Sequence, residues 1–276
     1  MNKLRFYGAI LDWQSRAVWG RHMKVYRRNW YTAFLPPAAE PVLLLLAFGL
    51  GLGAHVGGIS FGGREVKYAS YIAPGIIAYT IFLTAFFQTL YGAFIRMHYQ
   101  RTWEGQLTTQ VELPHVIWGE IIWATVLAAV YASIVAVVII LFNFTPLIDI
   151  SVWGLIASLP FCFLFGVGFA AAGLAFTAWM PSIDHMNLPV FLIGMPMAFT
   201  SNTYFPIPQG NPWLDLLVQL NPVFHMSELT RGLMLNGELG WSHLIIGLSE
   251  VLIIVLLATP PTCRKLRRRV LGDSGS

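Results

Sequence analysis

Three carboxylates, Glu40, Glu120 and Glu250, lie within or beside long apolar runs. A charge inside a hydrocarbon layer is costly, so a carboxylate in such a position is a candidate for proton or ion chemistry. Glu40 and Glu120 lie near the ends of their runs, where helix capping or contact with water also accounts for them. Glu250 falls near the middle of the last run, and a proton-coupled antiporter would use such an intramembrane carboxylate.

The motifs of several other kinds of chemistry do not occur in the sequence. The seven histidines are scattered, and His225 and Glu228 lack a second histidine at metal-ligand spacing, so no metal site is predicted. No G-x-x-x-x-G-K-[ST] motif occurs, so we expect no ATPase site in this chain. No paired carboxylates in one loop suggest hydrolysis or glycosyl transfer. The sequence therefore predicts a protein that is not an enzyme.

The composition indicates which elements position these residues. Of 276 residues, 56% are hydrophobic and 11% are charged, with a mean hydropathy of +0.64. Soluble domains average about 25% charged residues, so the chain is predicted to be an all-α integral membrane protein. Since a spanning helix needs roughly 20 apolar residues, six transmembrane helices are predicted, at 33–54, 72–95, 117–142, 152–179, 187–204 and 242–260. The whole chain, 1–276, is predicted to form a single transmembrane domain.

The basic residues predict the orientation. Most of the 17 Lys and Arg residues lie in the N-terminal segment, in the 96–115 insert or in the C-terminal tail. The alternate loops hold only Arg64, Lys67 and Arg231. Because basic residues are enriched in cytoplasmic loops, we expect a multi-pass protein of the cytoplasmic (inner) membrane. Both of its termini and the insert would be cytoplasmic.

Two segments outside the spans have their own patterns. Residues 1–31 are predicted to form an interfacial amphipathic helix, because four apolar residues in it follow helical spacing: Phe6, Ile10, Trp13 and Ala17. The segment 205–240 is apolar but contains four prolines, at 206, 208, 212 and 222. It is too interrupted to cross a bilayer, so short re-entrant helices are predicted between spans five and six.

The polar insert 96–115 lies between the second and third predicted spans. It is too short to form a soluble domain. If Thr102–Val111 is helical, one face carries Trp103, Gln106, Leu107 and Gln110. A short amphipathic helix of this kind suits a groove on a soluble partner.

Several short motifs occur in a fixed order along this topology. They are Glu40-Pro41, Ala73–Ile76, Tyr91–Met97, Gln100–Gly105, Gly119-Glu120, Pro181–Asp184, Phe205-Pro206, Asn221-Pro222 and Arg231-Gly232. In these motifs the chain resembles the permease subunits of ABC-2 type transporters, and most of all their NodJ-like branch. The resemblance covers nearly the whole sequence.

The resemblance implies a homodimer with two copies of a cytoplasmic ABC ATPase. ATP and Mg would be bound by that ATPase, with no cofactor in this chain and no nucleic acid partner. The 96–115 insert would be the coupling segment, and the implied coupling residues are Arg101, Trp103, Glu104, Gly105, Gln106, Gln110 and Asp184. The substrate would pass along the dimer interface, below an outer gate formed by the re-entrant region. The implied residues of this path or gate are Glu40, Tyr79, Phe87, Tyr91, Tyr204 and Phe205.

The NodJ-like branch is similar to the permeases for capsule and O-antigen polysaccharides and exports lipo-oligosaccharides. The resemblance therefore implies export of a lipid-linked or lipo-oligosaccharide-type substrate. Two alternatives stay open: a permease that exports drugs or small lipids, and a proton-coupled secondary transporter that uses Glu250. A membrane enzyme acting on lipid-linked sugars would need polar residues clustered at one membrane face, which the sequence does not show.

Overall fold

The computed structural model describes residues 3–31, 39–40, 42–56, 58–208 and 210–272, and most of them are helical. In chain order the elements are α1 (Lys3–Gly8), α2 (Trp13–Arg28), α3 (the π-helical Leu45–Leu52 continued by Gly53–Val56), β1 (Gly58–Phe61), β2 (Arg64–Lys67), α4 (Tyr68–Tyr99), α5 (Thr102–Leu107), α6 (Leu113–Asn143), α7 (Val152–Trp179), α8 (Asn187–Pro189, Val190–Gly194 and Met195–Phe199 in succession), α9 (Pro212–Gln219), α10 (Pro222–Arg231) and α11 (Trp241–Leu271). A one-turn 3₁₀ helix, Asp184–Met186, precedes α8, and π-helical turns at Gly232–Asn236 follow α10. The strands β1 and β2 form an antiparallel hairpin in which Ile59 pairs with Val66.

Among the described residues, four helices are long and apolar enough to cross a membrane: α4, α6, α7 and α11. They contain the second, third, fourth and sixth predicted runs. The prediction of a mostly helical membrane protein is confirmed by these elements. Each helix satisfies its own backbone hydrogen bonds, which is the condition for crossing a hydrocarbon layer.

The helices α4, α6 and α7 pack against one another, and α11 packs against α7. At the contact of α4 with α7, a Cβ atom on Gly173 would lie 2.4 Å from the carbonyl oxygen of Phe86, so only glycine allows this approach. One turn later, the hydroxyl of Thr177 donates to the carbonyl oxygens of Thr89 and Leu90, at 2.8 and 2.9 Å. The backbone of α4 is therefore fixed against α7.

The bundle has two ends, which we name by their connections. The insert end carries the segment between α4 and α6, together with the C-termini of α7 and α11. The hairpin end carries β1 and β2. The helix α2 packs against α6 at the insert end, where the indole nitrogen of Trp118 donates to the carbonyl oxygen of Phe6 at 2.9 Å.

The N-terminal segment differs from the single helix that the sequence predicts. A turn separates α1 from α2, and α2 begins after Asp12. The four residues predicted to share one face do not do so, since Phe6 is buried whereas Ile10 and Trp13 are exposed. The cause is tertiary packing, because Phe6 lies against Trp118 of α6. Whether α1 and α2 lie on a membrane surface stays a prediction.

Two of the six predicted spans do not coincide with a helix of spanning length among the described residues. The run 187–204 is helical only in α8, which ends at Phe199, and residues 200–205 form bends. These bends pack tightly, because a Cβ atom on Gly75 would lie 2.8 Å from the Cα atom of Thr203. Of the run 33–54, residues 33–38 and 41 lie outside the described residues, and α3 covers its end. Six spans therefore remain a proposal.

The region between α8 and α11 contains the short helices α9 and α10. Each begins at an Asn-Pro pair, and the side chains of Asn211 and Asn221 accept hydrogen bonds from the backbone N–H groups of Trp213 and Val223. Asparagine is a favoured N-cap residue, and proline suits the first helical position. Helix α10 is almost wholly buried between α4, α7 and α11. The depth of this region in a bilayer stays a prediction.

Candidate functional site

The most buried charged side chain of the insert end is Glu120, which lies in the second turn of α6 and is 0% exposed. Its partner is Arg96 in the last turns of α4, whose Nε atom donates to Oε1 at 3.0 Å and whose Nη2 atom donates to Oε2 at 2.5 Å. A bidentate pair of this kind fixes both distance and direction. Arg96 is also nearly buried, with a side-chain exposure of 12%. The pair therefore fixes the end of α4 to the start of α6.

The helix α5 of the insert is attached to the same carboxylate. The indole nitrogen of Trp103 donates to Oε1 of Glu120 at 2.9 Å, and Trp103 is 0% exposed. The hydroxyl of Thr102 donates to the carbonyl oxygen of Arg96 at 3.0 Å. Both contacts join α5 to residues of the ion pair, so a movement of α5 moves a group that α4 and α6 share.

Two further side chains surround the ion pair. His22 of α2 is 5% exposed, and its Nε2 atom lies 3.3 Å from Oε1 of Glu120. With the amide of Gln88 oriented so that its oxygen faces Arg96, that oxygen accepts from Trp123 Nε1 at 2.9 Å and from Arg96 at 3.2 Å. We call Glu120, Arg96, Trp103 and His22 the coupling cluster. It joins α2, α4, α5 and α6 at one point.

The remaining predicted coupling residues lie on the surface of the insert. Arg101, Glu104, Gly105 and Gln110 are exposed. Arg101 has a left-handed backbone conformation, with φ at 49°, where the chain turns into α5. The helix ends at Leu107 instead of Val111. Trp103 therefore packs inward, while these four residues face outward.

Gln106 and Asp184 have separate environments. Gln106 is half-buried, and neither atom of its amide has a hydrogen-bond partner among the described residues. An amide in that state carries a desolvation cost that a new partner would remove. Asp184 is exposed in the one-turn helix Asp184–Met186, in the loop between α7 and α8. The roles of both residues in coupling stay predictions.

The residues predicted for a substrate path form two aromatic groups along α4. Near the hairpin end, the ring of Tyr204 lies 5.9 Å from that of Tyr79 and 5.4 Å from that of Phe48 in α3. The ring of Phe205 stacks on that of Tyr68 at 5.9 Å. Glu40 is exposed, and it lies close enough to Tyr79 and Tyr204 to interact electrostatically with both. The structure thus brings the carboxylate and the tyrosines together.

The second aromatic group lies toward the insert end of α4. The rings of Phe87 and Tyr91 stack at 5.7 Å with an interplanar angle of 12°. The hydroxyl of Tyr91 lies 3.3 Å from the amide oxygen of Asn187 at the start of α8. Tyr79, Phe87 and Tyr91 follow one another at intervals of two helical turns and one, so they share one face of α4. All three are partly exposed.

A second buried charge network lies toward the hairpin end, around Arg231 of α10. Its guanidinium pairs with Glu228, and it also donates to the carbonyl oxygens of Tyr71 and Asn202, at 3.2 and 2.7 Å. It lies 4.0 Å from the centre of the Tyr71 ring, within the range of a cation–π contact. Asn202 has a positive φ of 54° and donates to Glu228 at 3.3 Å. The network therefore holds the bends before Tyr204 against α4 and α10.

Glu250, the third carboxylate, lies in α11 next to two histidines. Its Oε1 atom is 3.9 Å from Nε2 of His225, whose Nδ1 atom is 3.1 Å from Nδ1 of His243. Burial lowers the pKa of His225, which favours the neutral imidazole. Oε2 of Glu250 has no hydrogen-bond partner in the part of the chain that the structure describes, and no metal-binding group occurs there. Glu250 remains a candidate without an assigned role.

The sequence indicated Glu120 and Arg96 without indicating that they form a pair. Glu120 was one of three intramembrane carboxylates, and Arg96 belonged to a motif of the resemblance. The available signal was their position, since opposite charges at the adjoining ends of two neighbouring antiparallel spans can meet. Arg231 is a loop residue in the predicted topology and part of the Arg231-Gly232 motif, but neither observation indicates its partner Glu228. His22 gave no signal, because the contact depends on how α2 packs.

Comparison with known proteins shows which family the chain resembles. The family described as ABC-2 type transporter matches residues 14–235. Nodulation protein J of Rhizobium leguminosarum bv. trifolii is 34% identical over 83% of this chain and 83% of its own length. Nodulation protein J of Rhizobium leguminosarum bv. viciae is 32% identical over 94% and 96%, and that of Sinorhizobium fredii is 31% identical over 96% and 98%.

Proposed function

Because the chain belongs to the ABC-2 type transporter family, we propose that it is the permease subunit of an ATP-driven exporter of a lipid-linked or lipo-oligosaccharide-type substrate. The chain is a membrane component of an ABC-2 type transporter. The proposal adds the direction of transport and the substrate class. It also includes a homodimer of six-span subunits in the cytoplasmic membrane, with both termini and the insert in the cytoplasm.

The coupling cluster is the observation that carries the proposal. An ATPase that binds at the insert can act on the spans only if the insert is mechanically connected to them. Trp103 and Thr102 supply that connection, because they bond to Glu120 and Arg96. Coupling between distant sites is carried by packed side chains and hydrogen-bond networks of this kind. Two copies of a separate ATPase would bind ATP and Mg, and their closure would move α5 and with it α4 and α6.

The exposed residues of the insert are the proposed contact surface for the ATPase. We expect Glu104→Arg to weaken association with the ATPase roughly tenfold, because a reversed charge at the centre of an interface costs about 1–2 kcal/mol. Co-purification of the tagged permease with the ATPase, followed by ATPase activity in nanodiscs, measures this loss. Glu65→Arg is the matched control, because Glu65 is exposed on β2 at the opposite end.

Equal effects of the two charge reversals would contradict docking at the insert. Trp103→Ala is a poor probe of that surface. Its indole is buried, so the substitution would disturb the coupling cluster rather than remove a contact with a partner. If the wild-type chain retains no ATPase under any condition, the ATP-driven mechanism itself is wrong.

The aromatic face of α4 supports the proposed substrate class. Sugar rings stack on aromatic faces, and Tyr79, Phe87 and Tyr91 present partly exposed rings along one line. The exposed Glu40 near Tyr79 adds an acceptor for hydroxyl groups or a charge for an amine. A lipid tail could remain in the bilayer while the head group follows this line.

Uptake by inverted membrane vesicles tests the path. We expect Tyr79→Ala to reduce ATP-dependent uptake of a labelled lipid-linked oligosaccharide by about fivefold, because one ring contact contributes about 1 kcal/mol. Tyr79→Phe should retain most of the uptake, since the ring remains. Phe144→Ala is the control, because Phe144 is an exposed ring after the end of α6, outside the insert and both aromatic groups. Uptake of a hydrophobic dye instead of the oligosaccharide would favour the drug or small-lipid exporter.

A further inference from the structure

A basic crevice lies between the C-terminal ends of α7 and α11, away from the coupling cluster and from the aromatic face. It has a volume of about 400 Å³ and is lined by Ala178, Trp179, Met180, Pro181, Lys265, Arg268 and Arg269. This volume lies within the range of small-molecule sites. The crevice combines three cations with an exposed indole ring.

The three cations of the crevice differ in their partners. Arg269 donates to the carbonyl oxygens of Thr177, Met180 and Pro181 at 2.7 to 3.0 Å, and so caps the end of α7. Lys265 and Arg268 are exposed, and neither forms an ion pair with any residue that the structure describes. Arg269 is therefore occupied by the backbone at the end of α7, whereas Lys265 and Arg268 are available to bind an anion.

The surroundings of the crevice indicate which anion it would take. Helix α11 is mostly apolar from Leu244 to Ala258 and basic from Arg264 to Arg269, so the crevice lies where the apolar part of the bundle ends. Trp179 is 56% exposed at the end of α7, and the Nζ atom of Lys265 lies 5.4 Å from its ring. Tryptophan at such a level is typical of the membrane–water interface. An anion held there belongs to the bilayer surface.

We propose that this crevice is a binding site for the phosphate group of an anionic phospholipid. Lys265 and Arg268 would bind the phosphate oxygens, and Trp179 would lie beside the glycerol and the upper acyl chains. Arg269 would hold the end of α7 in position to form the wall. The Arg269 guanidinium also lies 5.4 Å from the ring of Phe94 in α4, so the wall of the site is connected to a third span.

Lipid binding to the purified chain without its ATPase tests this site. Native mass spectrometry would measure bound phosphatidylglycerol and phosphatidylcholine for wild type and for the double variant Lys265→Ala/Arg268→Ala. Each basic residue near an anionic lipid surface contributes about fivefold in affinity, so we expect the double variant to bind phosphatidylglycerol roughly 30-fold more weakly. Binding of phosphatidylcholine, which carries no net charge, should be weak and unchanged.

The double variant Arg264→Ala/Arg267→Ala is the matched control. It removes the same two charges from the same part of α11, but neither residue lines the crevice. Equal loss in both double variants would overturn the proposal in favour of a diffuse basic tail. Displacement of phosphatidylglycerol by inorganic phosphate alone would show a site for soluble anions. Unchanged lipid binding together with loss of ATPase association would assign the crevice to the partner protein instead.

Discussion

Replacing Glu120 with glutamine is expected to lower the free energy of unfolding by about 3–5 kcal/mol, because it leaves Arg96 buried without a counter-charge. The glutamine has nearly the same volume, and its amide oxygen can still accept from Trp103, so the loss reports mainly on charge. Thermal unfolding of the purified protein in detergent measures the change, and a shift of about 10 °C is expected for a chain of this length.

Two variants make the Glu120 result interpretable. Arg96→Met in the Glu120→Gln background removes the uncompensated charge, and we expect it to recover most of the lost stability. Glu112→Gln is the matched control. Glu112 pairs with Arg5 at 3.0 Å, but these side chains are 56% and 77% exposed. The amide oxygen of glutamine can still accept the capping hydrogen bond at the start of α6, so the loss should stay below about 1 kcal/mol. A double variant no more stable than Glu120→Gln would contradict an origin in charge imbalance.

The ion pair and the buried indole of the coupling cluster can be tested separately for a role in transmitting movement from the ATPase. Stability of Arg96→Met/Glu120→Gln together with lost stimulation of the ATPase would show that the ion pair transmits movement. Normal stimulation would show that packing of Trp103 against α6 is sufficient. The polar pair and the buried indole act on the same helix α5, so only variants that keep the fold intact can distinguish their contributions.

The long apolar helices are the part of the fold that the sequence predicts well. The run 152–179 coincides with α7 at both ends, because a hydrocarbon layer requires a long apolar segment and the local pattern records it. Helix α6 begins at Leu113, before the predicted residue 117, since Glu112 and His115 form a capping box that extends it. That signal is also local and could have been read from the two side chains.

The contacts between elements could not be predicted in the same way. The amphipathic pattern of the insert indicates that Trp103 and Gln106 can share one face of a helix. It does not indicate whether that face binds another protein or packs against the rest of this chain. Glu120 decides this for Trp103, because its carboxylate offers the only polar partner that the structure gives the indole. The break between α1 and α2 likewise depends on Trp118, which lies far away in the sequence.

Replacing Arg231 with methionine is expected to destabilise the protein by about 3–5 kcal/mol, since it removes the counter-charge of Glu228 and the donor to two carbonyl groups. Arg231 is 0% exposed, so water cannot replace these bonds. Arg231→Lys keeps the charge but offers one compact ammonium in place of a planar fork, and an intermediate loss is expected. Arg64→Met, at an exposed position of β2, is the control and should change stability little.

The consequence for transport follows from the neighbours of Arg231. Its guanidinium holds the carbonyl of Asn202, two residues before Tyr204, so its loss releases the bends that place Tyr204 beside Tyr79. A cysteine introduced at Thr203, which is 1% exposed, should react with a maleimide slowly in the wild-type background and quickly with Arg231→Met. Equal rates, with stability reduced, would show that the bends keep their packing without the Arg231 guanidinium. Fast labelling with oligosaccharide uptake intact would contradict a role for this segment as the outer gate.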